Sequence, residues 1–146
     1  MHWHGHDAVE RLIASKRITA GHLGILWLLV NRMDGRLGRI YISARELAAD
    51  LKRDETQTRR EIAKLIQVQL LARYTDPRTY QKSLMINPWL VSAGDSRLRG
   101  LRWAEFKEAL GDAFGPHTPG YRTQLDSYDY EPRIPAKNRL LALANR

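Results

Sequence analysis

The chain has 146 residues, of which 43% are hydrophobic, and its 24 Lys and Arg against 16 Asp and Glu give a net charge of +8. This length fits one domain with an appendage, and this charge is typical of proteins that bind a polyanion, which could be DNA, RNA or an acidic membrane surface. The absence of cysteine excludes disulfides, thiolate zinc sites and cysteine nucleophiles, and the longest apolar run, Ile25–Val30, is far shorter than the roughly 20 residues of a membrane span. We therefore expect a soluble, cytoplasmic protein that does not enter a membrane.

The first 42 residues predict one long buried helix between two less regular segments. Residues 1–17 are expected to form an arm or a short helix. Thr19 is suited to cap a helix that extends to Met33, because apolar residues cover most of its circumference. Turn-forming residues at 34–38 end this helix, and the β-branched and aromatic run Ile40–Ile42 predicts a short strand.

Two capped helices follow, and the second has a basic outer side. Ser43 and Glu46 have the spacing of a capping box, so a short helix with one apolar face is expected to begin there. Asp54 is suited to cap the next helix. The residues expected on its inner side are Thr58, Ile62, Leu65 and Ile66. The residues expected on its outer side are Gln57, Arg59, Arg60, Ala63, Lys64 and Gln67.

The remaining chain predicts a hairpin, a helix and a tail. Leu70–Tyr74 and Ser83–Ile86 are expected to be paired strands, and the second ends at Pro88 because proline has no N–H to donate. Arg97–Leu110 is helical by pattern, whereas Gly115–Pro135 is rich in proline and tyrosine and predicts an extended tether before a terminal helix. The predicted units are an N-terminal arm or short helix (1–17), a main domain (18–95), a C-terminal helix (96–114) and the tether with its terminal helix (115–146).

The order of these elements predicts a mainly α-helical fold with a small β-hairpin, namely a winged helix-turn-helix domain with a C-terminal helical extension. In such a domain the second motif helix lies in the major groove of double-stranded DNA, and the hairpin is a wing that contacts the backbone. The residues expected to read bases are Thr56, Gln57, Arg59 and Arg60, with Arg60 foremost. The residues expected to contact the DNA backbone are Arg45, Lys52, Arg53, Lys64, Arg78 and Lys82.

These charges could instead serve only to solvate the surface. Acidic residues between them dilute the positive charge, which favours that alternative for any single residue. Those acids are Glu46, Asp50, Asp54, Glu55 and Glu61.

Three short stretches within residues 18–95 carry a resemblance to a known family. They are Tyr41-Ile42-Ser43 leading into Glu46-Leu47-Ala48, then Ile62-Ala63-Lys64-Leu65, and Met85-Ile86-Asn87-Pro88 followed by Gly94-Asp95. In these stretches the chain resembles the RepL-type plasmid replication initiators, which are winged-helix proteins that bind a replication origin. It differs from them where Lys52-Arg53 replaces Gly-Ile before the second motif helix and where Gln69 replaces a glycine after it.

The resemblance implies a plasmid or phage-type replication initiator that binds origin repeats and has host replication proteins as partners. We expect a homodimer, because one winged helix covers too little DNA to select a site. Two other functions stay open. One is a transcriptional repressor on the same fold, since the fold specifies how DNA is held and not why. The other is a structural or recruitment subunit that uses the wing for protein contact.

The histidines and tyrosines that could suggest DNA cleavage do not predict an enzyme. His2-Trp3-His4 is similar to the metal motif of rolling-circle nickases, and tyrosine nucleophiles are available, but we expect these histidines to lack the inner strand that orients them in such nucleases. We expect a disordered N-terminus, in which His2, His4 and His6 bind metal only adventitiously. The tyrosines in question are Tyr121, Tyr128 and Tyr130.

Other polar residues also lack a catalytic pattern. His22 and His117 are expected to be structural, Asp54-Glu55 is explained by helix capping, and Asp126 with Asp129 is assigned no metal. The sequence has no phosphate-binding glycine loop and no Ser-His-Asp spacing. We therefore predict no catalytic residue, metal or cofactor.

Overall fold

A computed structural model describes residues 2–3, 6–34, 38–92 and 99–121. These residues form five α-helices, a three-stranded antiparallel sheet and a separate pair of short strands. No helix in this part of the chain is long and apolar enough to cross a membrane. The mixture of helices with a small antiparallel sheet agrees with the predicted fold class at this coarse level.

The helices and strands have the following bounds. The helices are α1 His6–Ala14, α2 Ala20–Asn31, α3 Ala44–Leu51, α4 Glu55–Gln67 and α5 Arg99–Leu110. The strands are β1 His2–Trp3, β2 Arg39–Ile40, β3 Leu71–Thr75, β4 Lys82–Ile86 and β5 Val91–Ser92. A single 3-10 turn, Gly111–Ala113, continues α5.

The three predicted N-cap residues are confirmed, although the Glu46 side chain accepts from the Ser43 hydroxyl at 3.1 Å and not from the Ser43 N–H of the predicted capping box. The Thr19 hydroxyl accepts from the His22 N–H at 3.4 Å, and the Ser43 hydroxyl accepts from the Glu46 N–H at 3.1 Å. The Asp54 carboxylate accepts from the Gln57 N–H at 2.9 Å. Each cap satisfies a backbone donor that has no partner within its own helix, so α2, α3 and α4 all begin where their sequences predict.

Two residues in the left-handed conformation reverse the chain around α4. Lys52, with φ of 52°, ends α3, and its N–H donates to the carbonyls of Ala48 and Ala49. Gln69, with φ of 63°, follows α4 and directs the chain into β3. A residue other than glycine is strained in this region, so both reversals depend on the surrounding contacts to hold them.

The sheet has the strand order β2-β4-β3, and the hairpin of β3 and β4 is confirmed. Its register pairs Leu71 with Ile86 and Thr75 with Lys82. β2 adds Ile40 opposite Leu84, so the predicted short strand is present, although it begins one residue earlier and ends two residues earlier than expected.

The sheet lies between two hydrophobic clusters. One face carries Leu71, Leu84 and Ile86, which join the main core with residues of α1, α2, α3 and α4. The other face carries Ala72 and Met85, which pack against side chains of α5. Three elements contact α4, namely the helices α2 and α3 and the strand β3. They hold α4 on its buried side. α2 is largely buried as predicted, but its Trp27 is 50% exposed.

The segment after α5 differs from the predicted tether. Thr118 is buried and its hydroxyl donates to Gln69, and the fully buried Asn87 side chain donates to the carbonyls of Gln69 at 3.1 Å and Pro119 at 2.8 Å. Residues 115–121 therefore pack on the ends of α4 and β4, because two buried amides supply hydrogen bonds that a composition-based prediction cannot foresee. The rest of the predicted tether and the terminal helix lie outside the described residues.

Candidate nucleic-acid interface

The outer side of α4 is the centre of the candidate interface. The helical repeat places Thr56, Arg60 and Ala63 opposite the buried residues Ile62 and Leu65, and all three are exposed. Within the described part of the chain, Arg60 has no ion-pair or hydrogen-bond partner. This side of α4 therefore presents one free guanidinium, a hydroxyl and a small residue that allows close approach.

The other two predicted base readers are engaged within α4 itself. The Arg59 guanidinium lies 2.6 Å from the Glu55 carboxylate in an exposed pair one turn apart, which is weak in water. The Gln57 side-chain amide donates to Glu61 at 3.3 Å. Thr56 and Arg60 are thus free to contact a ligand, whereas Arg59 and Gln57 already have partners.

Two of the predicted backbone contacts also have partners within the protein. Arg53 donates to Glu61 at 2.6 Å, and Lys64 donates to Gln67 at 3.2 Å. Three of the others have side chains without a partner among the described residues, namely Arg45, Lys52 and Lys82. The charge of the remaining one, Arg78, interacts with the Asp76 carboxyl.

One cation of the hairpin was not among the predicted site residues. Arg73 lies on β3 opposite Leu84, on the same face as Lys82 and diagonal to it. It is exposed, and no residue in the described part of the chain pairs with it. The period of two in a strand could have identified it, because Arg73 lies on the same face as Leu71. Leu71 is covered by the core, whereas Arg73 extends past its edge.

The turn of the hairpin is fixed by Asp76. Its carboxylate accepts from the N–H of Arg78 at 2.8 Å and of Thr79 at 3.3 Å, and it lies 3.4 Å from the Arg39 guanidinium. These backbone donors, helped by Arg39, hold the pKa of the Asp76 carboxyl below its ordinary value. Tyr80 follows at φ of 59° and is 78% exposed, so the tip of the hairpin presents an aromatic ring that the sequence analysis did not single out.

A buried ion pair connects β2, beside the hairpin, to α5. Arg39 and Glu105 are 8% and 4% exposed, and their charged groups lie 2.5 Å apart. The Arg39 guanidinium also lies 4.2 Å from the centre of the Tyr74 ring on β3. Burial raises the pKa of the Glu105 carboxyl, and the charge of Arg39 opposes this shift. The pair therefore links β2 and the turn end of β3 to α5.

The residues considered for catalysis are dispersed. His2 and Trp3 form a strand paired with Val91 and Ser92, so the predicted disorder of the histidine segment is wrong there. α1 follows and is the short helix that was expected as the alternative to an arm within residues 1–17. Backbone pairing with a distant strand has no local sequence signal. His22 is structural as expected, because its Nδ1 accepts from the Thr19 N–H at 2.9 Å.

His117 has a similar role, because its Nε2 lies 3.1 Å from the Gln69 amide. No group of three or more His, Asp or Glu that could hold a metal ion occurs within the described ranges. Tyr128, Tyr130, Asp126 and Asp129 lie outside those ranges.

Comparisons with models of protein families, with curated proteins and with solved structures give no match to this chain.

Proposed function

We propose that this protein is a sequence-specific double-stranded DNA-binding protein in which residues 18–95 form a winged helix-turn-helix. In this proposal α4 is the recognition helix and the hairpin of β3 and β4 is the wing. The observation that carries the proposal is the outer side of α4, where the unpaired Arg60 lies beside Thr56 and Ala63 on a helix held by α2, α3 and β3.

The dimensions and chemistry of α4 suit the major groove. The groove of B-DNA is about 12 Å wide and admits one α-helix. An exposed, unpaired guanidinium can donate two parallel hydrogen bonds to the O6 and N7 acceptors of guanine. Ala63 follows Arg60 by one turn on the same side, so the helix can approach the base edges closely there.

The hairpin supports the same proposal through its charge. Arg73 and Lys82 share one face of the hairpin and lack partners among the described residues, and Arg78 lies in the turn, where its charge acts on Asp76. Three cations on one short hairpin suit the phosphate backbone, where contacts fix orientation without reading sequence. The net charge of +8 is consistent with a polyanionic partner.

We further propose that the protein is a non-catalytic plasmid or phage-type replication initiator that binds origin repeats as a homodimer. This part rests on the resemblance to the RepL-type initiators. Lys52 and Gln69, the two positions where a glycine of that family is replaced, both have positive φ. Glycine adopts that conformation without strain. The backbone at both positions is therefore in the conformation that the glycines of the family would favour.

The proposal is tested by selecting bound duplexes from a random library with the full chain and searching the host replicon for the enriched sequence. Repeats of that sequence beside a replication origin would support an initiator, whereas a single copy at a promoter would indicate a repressor. No enrichment, together with DNA affinity that does not change with salt, would refute DNA binding and favour the recruitment subunit. Arg60→Ala is the matched control for selection through α4.

A further inference from the structure

Glu61 is a buried acid in the middle of α4. It is 5% exposed, whereas Glu55 on the same helix is half-exposed and paired at the surface. One oxygen, Oε1, accepts from Arg53 at 2.6 Å and from Gln57 at 3.3 Å. The other oxygen, Oε2, is buried without a hydrogen-bond partner in the described part of the chain.

This arrangement is unfavourable for the core alone. A buried carboxylate with one unsatisfied oxygen costs more than an apolar side chain of similar size would at the same position. Glu61 lies among Thr58, Ile62 and Leu65, which are buried residues that need no charge beside them. The start of α2 lies close by, since a Cβ at Gly21 would be 3.9 Å from Oε1, and its positive end offsets only part of the cost.

Glu61 does supply an acceptor that orients two side chains at the edge of α4, those of Arg53 and Gln57. We propose that Glu61 is a positioning residue that sets the orientation of the Gln57 amide and thereby contributes to base selection without touching DNA. This inference rests on the proposed function. Arg53 shares the same oxygen, so the turn before α4 is tied to the same carboxylate.

The consequence for Gln57 follows from the chemistry of a primary amide. Its nitrogen faces Glu61, because a carboxylate accepts hydrogen bonds and would repel the amide oxygen. The amide oxygen and the second N–H of Gln57 stay available for a ligand. The bond to Glu61 determines which of these two groups lies where. Glutamine reads adenine with these two groups at N6 and N7, so an amide whose orientation is favoured by a hydrogen bond discriminates better than a free one.

The test is a double-mutant cycle on the full chain, in which the affinities for two duplexes are measured. One is the selected duplex, and the other is changed at the base pair for which Gln57→Ala loses its preference. Glu61→Gln is expected to lower the ratio of the two affinities by about five- to tenfold, a part of what a bidentate contact contributes. In the Gln57→Ala background, Glu61→Gln is expected to leave that ratio unchanged. Glu108→Gln, an equal change of charge on the exposed side of α5, is the matched control.

A structural role for Glu61 would give a different result. It would lower both affinities by the same factor, or act equally with and without Gln57, and either outcome overturns the proposal. Glu61→Met, which fills the same space without an acceptor, keeps the test valid should Glu61→Gln unfold, because it is expected to fold and to show the same loss of selectivity. A wild-type protein with no selectivity would overturn the proposed function itself, which distinguishes the two failures.

Discussion

Replacing Arg60 by alanine should remove most of the sequence selectivity while leaving most of the non-specific affinity for DNA. Arg60 is exposed and has no partner to release among the described residues, so its whole hydrogen-bonding capacity is available to a base. A bidentate contact to guanine contributes about 1–3 kcal/mol of discrimination, so the affinity for the selected duplex should fall by about 5- to 150-fold. The stability of the fold should change by less than about 0.5 kcal/mol, as is usual for an exposed residue.

Arg59 is the matched control, since it has the same side chain on the same helix. It must leave Glu55, at 2.6 Å, before it can contact DNA, and an exposed pair of this kind is worth about 0.3–0.5 kcal/mol. Arg59→Ala should therefore have the smaller effect. Arg60→Lys keeps the charge but cannot form the two parallel bonds, so it should lose most of the selectivity as well.

The assay is fluorescence anisotropy with the selected duplex and a scrambled duplex at one fixed salt concentration. The reasoning predicts a large loss for the selected duplex and a small loss for the scrambled one. Equal losses for both duplexes would show that Arg60 contacts only phosphate. A larger effect of Arg59→Ala than of Arg60→Ala would refute the reasoning that the arginine without a partner in the protein is the one that contacts a base.

Three further predictions concern the turn of the hairpin and the ion pair of Arg39 with Glu105. Arg78→Ala should weaken selected and scrambled duplexes alike in the same anisotropy assay, and a changed base preference would contradict its role as a backbone contact. Glu105→Gln should lower the free energy of unfolding by up to about 3–5 kcal/mol in urea titrations, because it leaves the buried Arg39 charge with only Asp76, at 3.4 Å, as a carboxylate partner, and a loss below about 1 kcal/mol would contradict this. Asp76 has a lowered pKa, so its stabilising contribution is present above the ordinary value of about 3.9 and is lost as pH falls through the lower folded value. The difference in stability between wild type and Asp76→Asn should therefore shrink on acidification, and a difference that grows would refute the sign.

Local signals explain which elements could be predicted from the sequence. Caps depend on residues two or three positions apart, and Thr19, Ser43 and Asp54 all cap the helices they were expected to begin. The hairpin and the end of β4 before Pro88 likewise follow from alternation and from the chemistry of proline. The exposed outer side of α4 follows from the helical repeat.

Contacts between distant residues explain most of what could not be predicted. Arg39 and Glu105 lie 66 positions apart, and nothing near either residue indicates that their charges are buried together. Gln69 and Asn87 hold residues 115–121 through hydrogen bonds that likewise join distant residues. Glu61 was treated as a surface charge, although its spacing from Thr58 and Leu65 places it on the inner side of α4.

The proposed contact between α4 and the major groove can be tested directly because the chain has no cysteine. Gln67→Cys introduces one thiol at the exposed end of α4, where an iron chelate that generates hydroxyl radicals can be attached. Glu108→Cys introduces one on α5, which packs against the opposite face of the sheet. With the selected duplex, the chelate at position 67 should cleave a few base pairs inside the site and the chelate at position 108 should not. No cleavage from position 67, or equal cleavage from both positions, would contradict the assignment of α4 as the recognition helix.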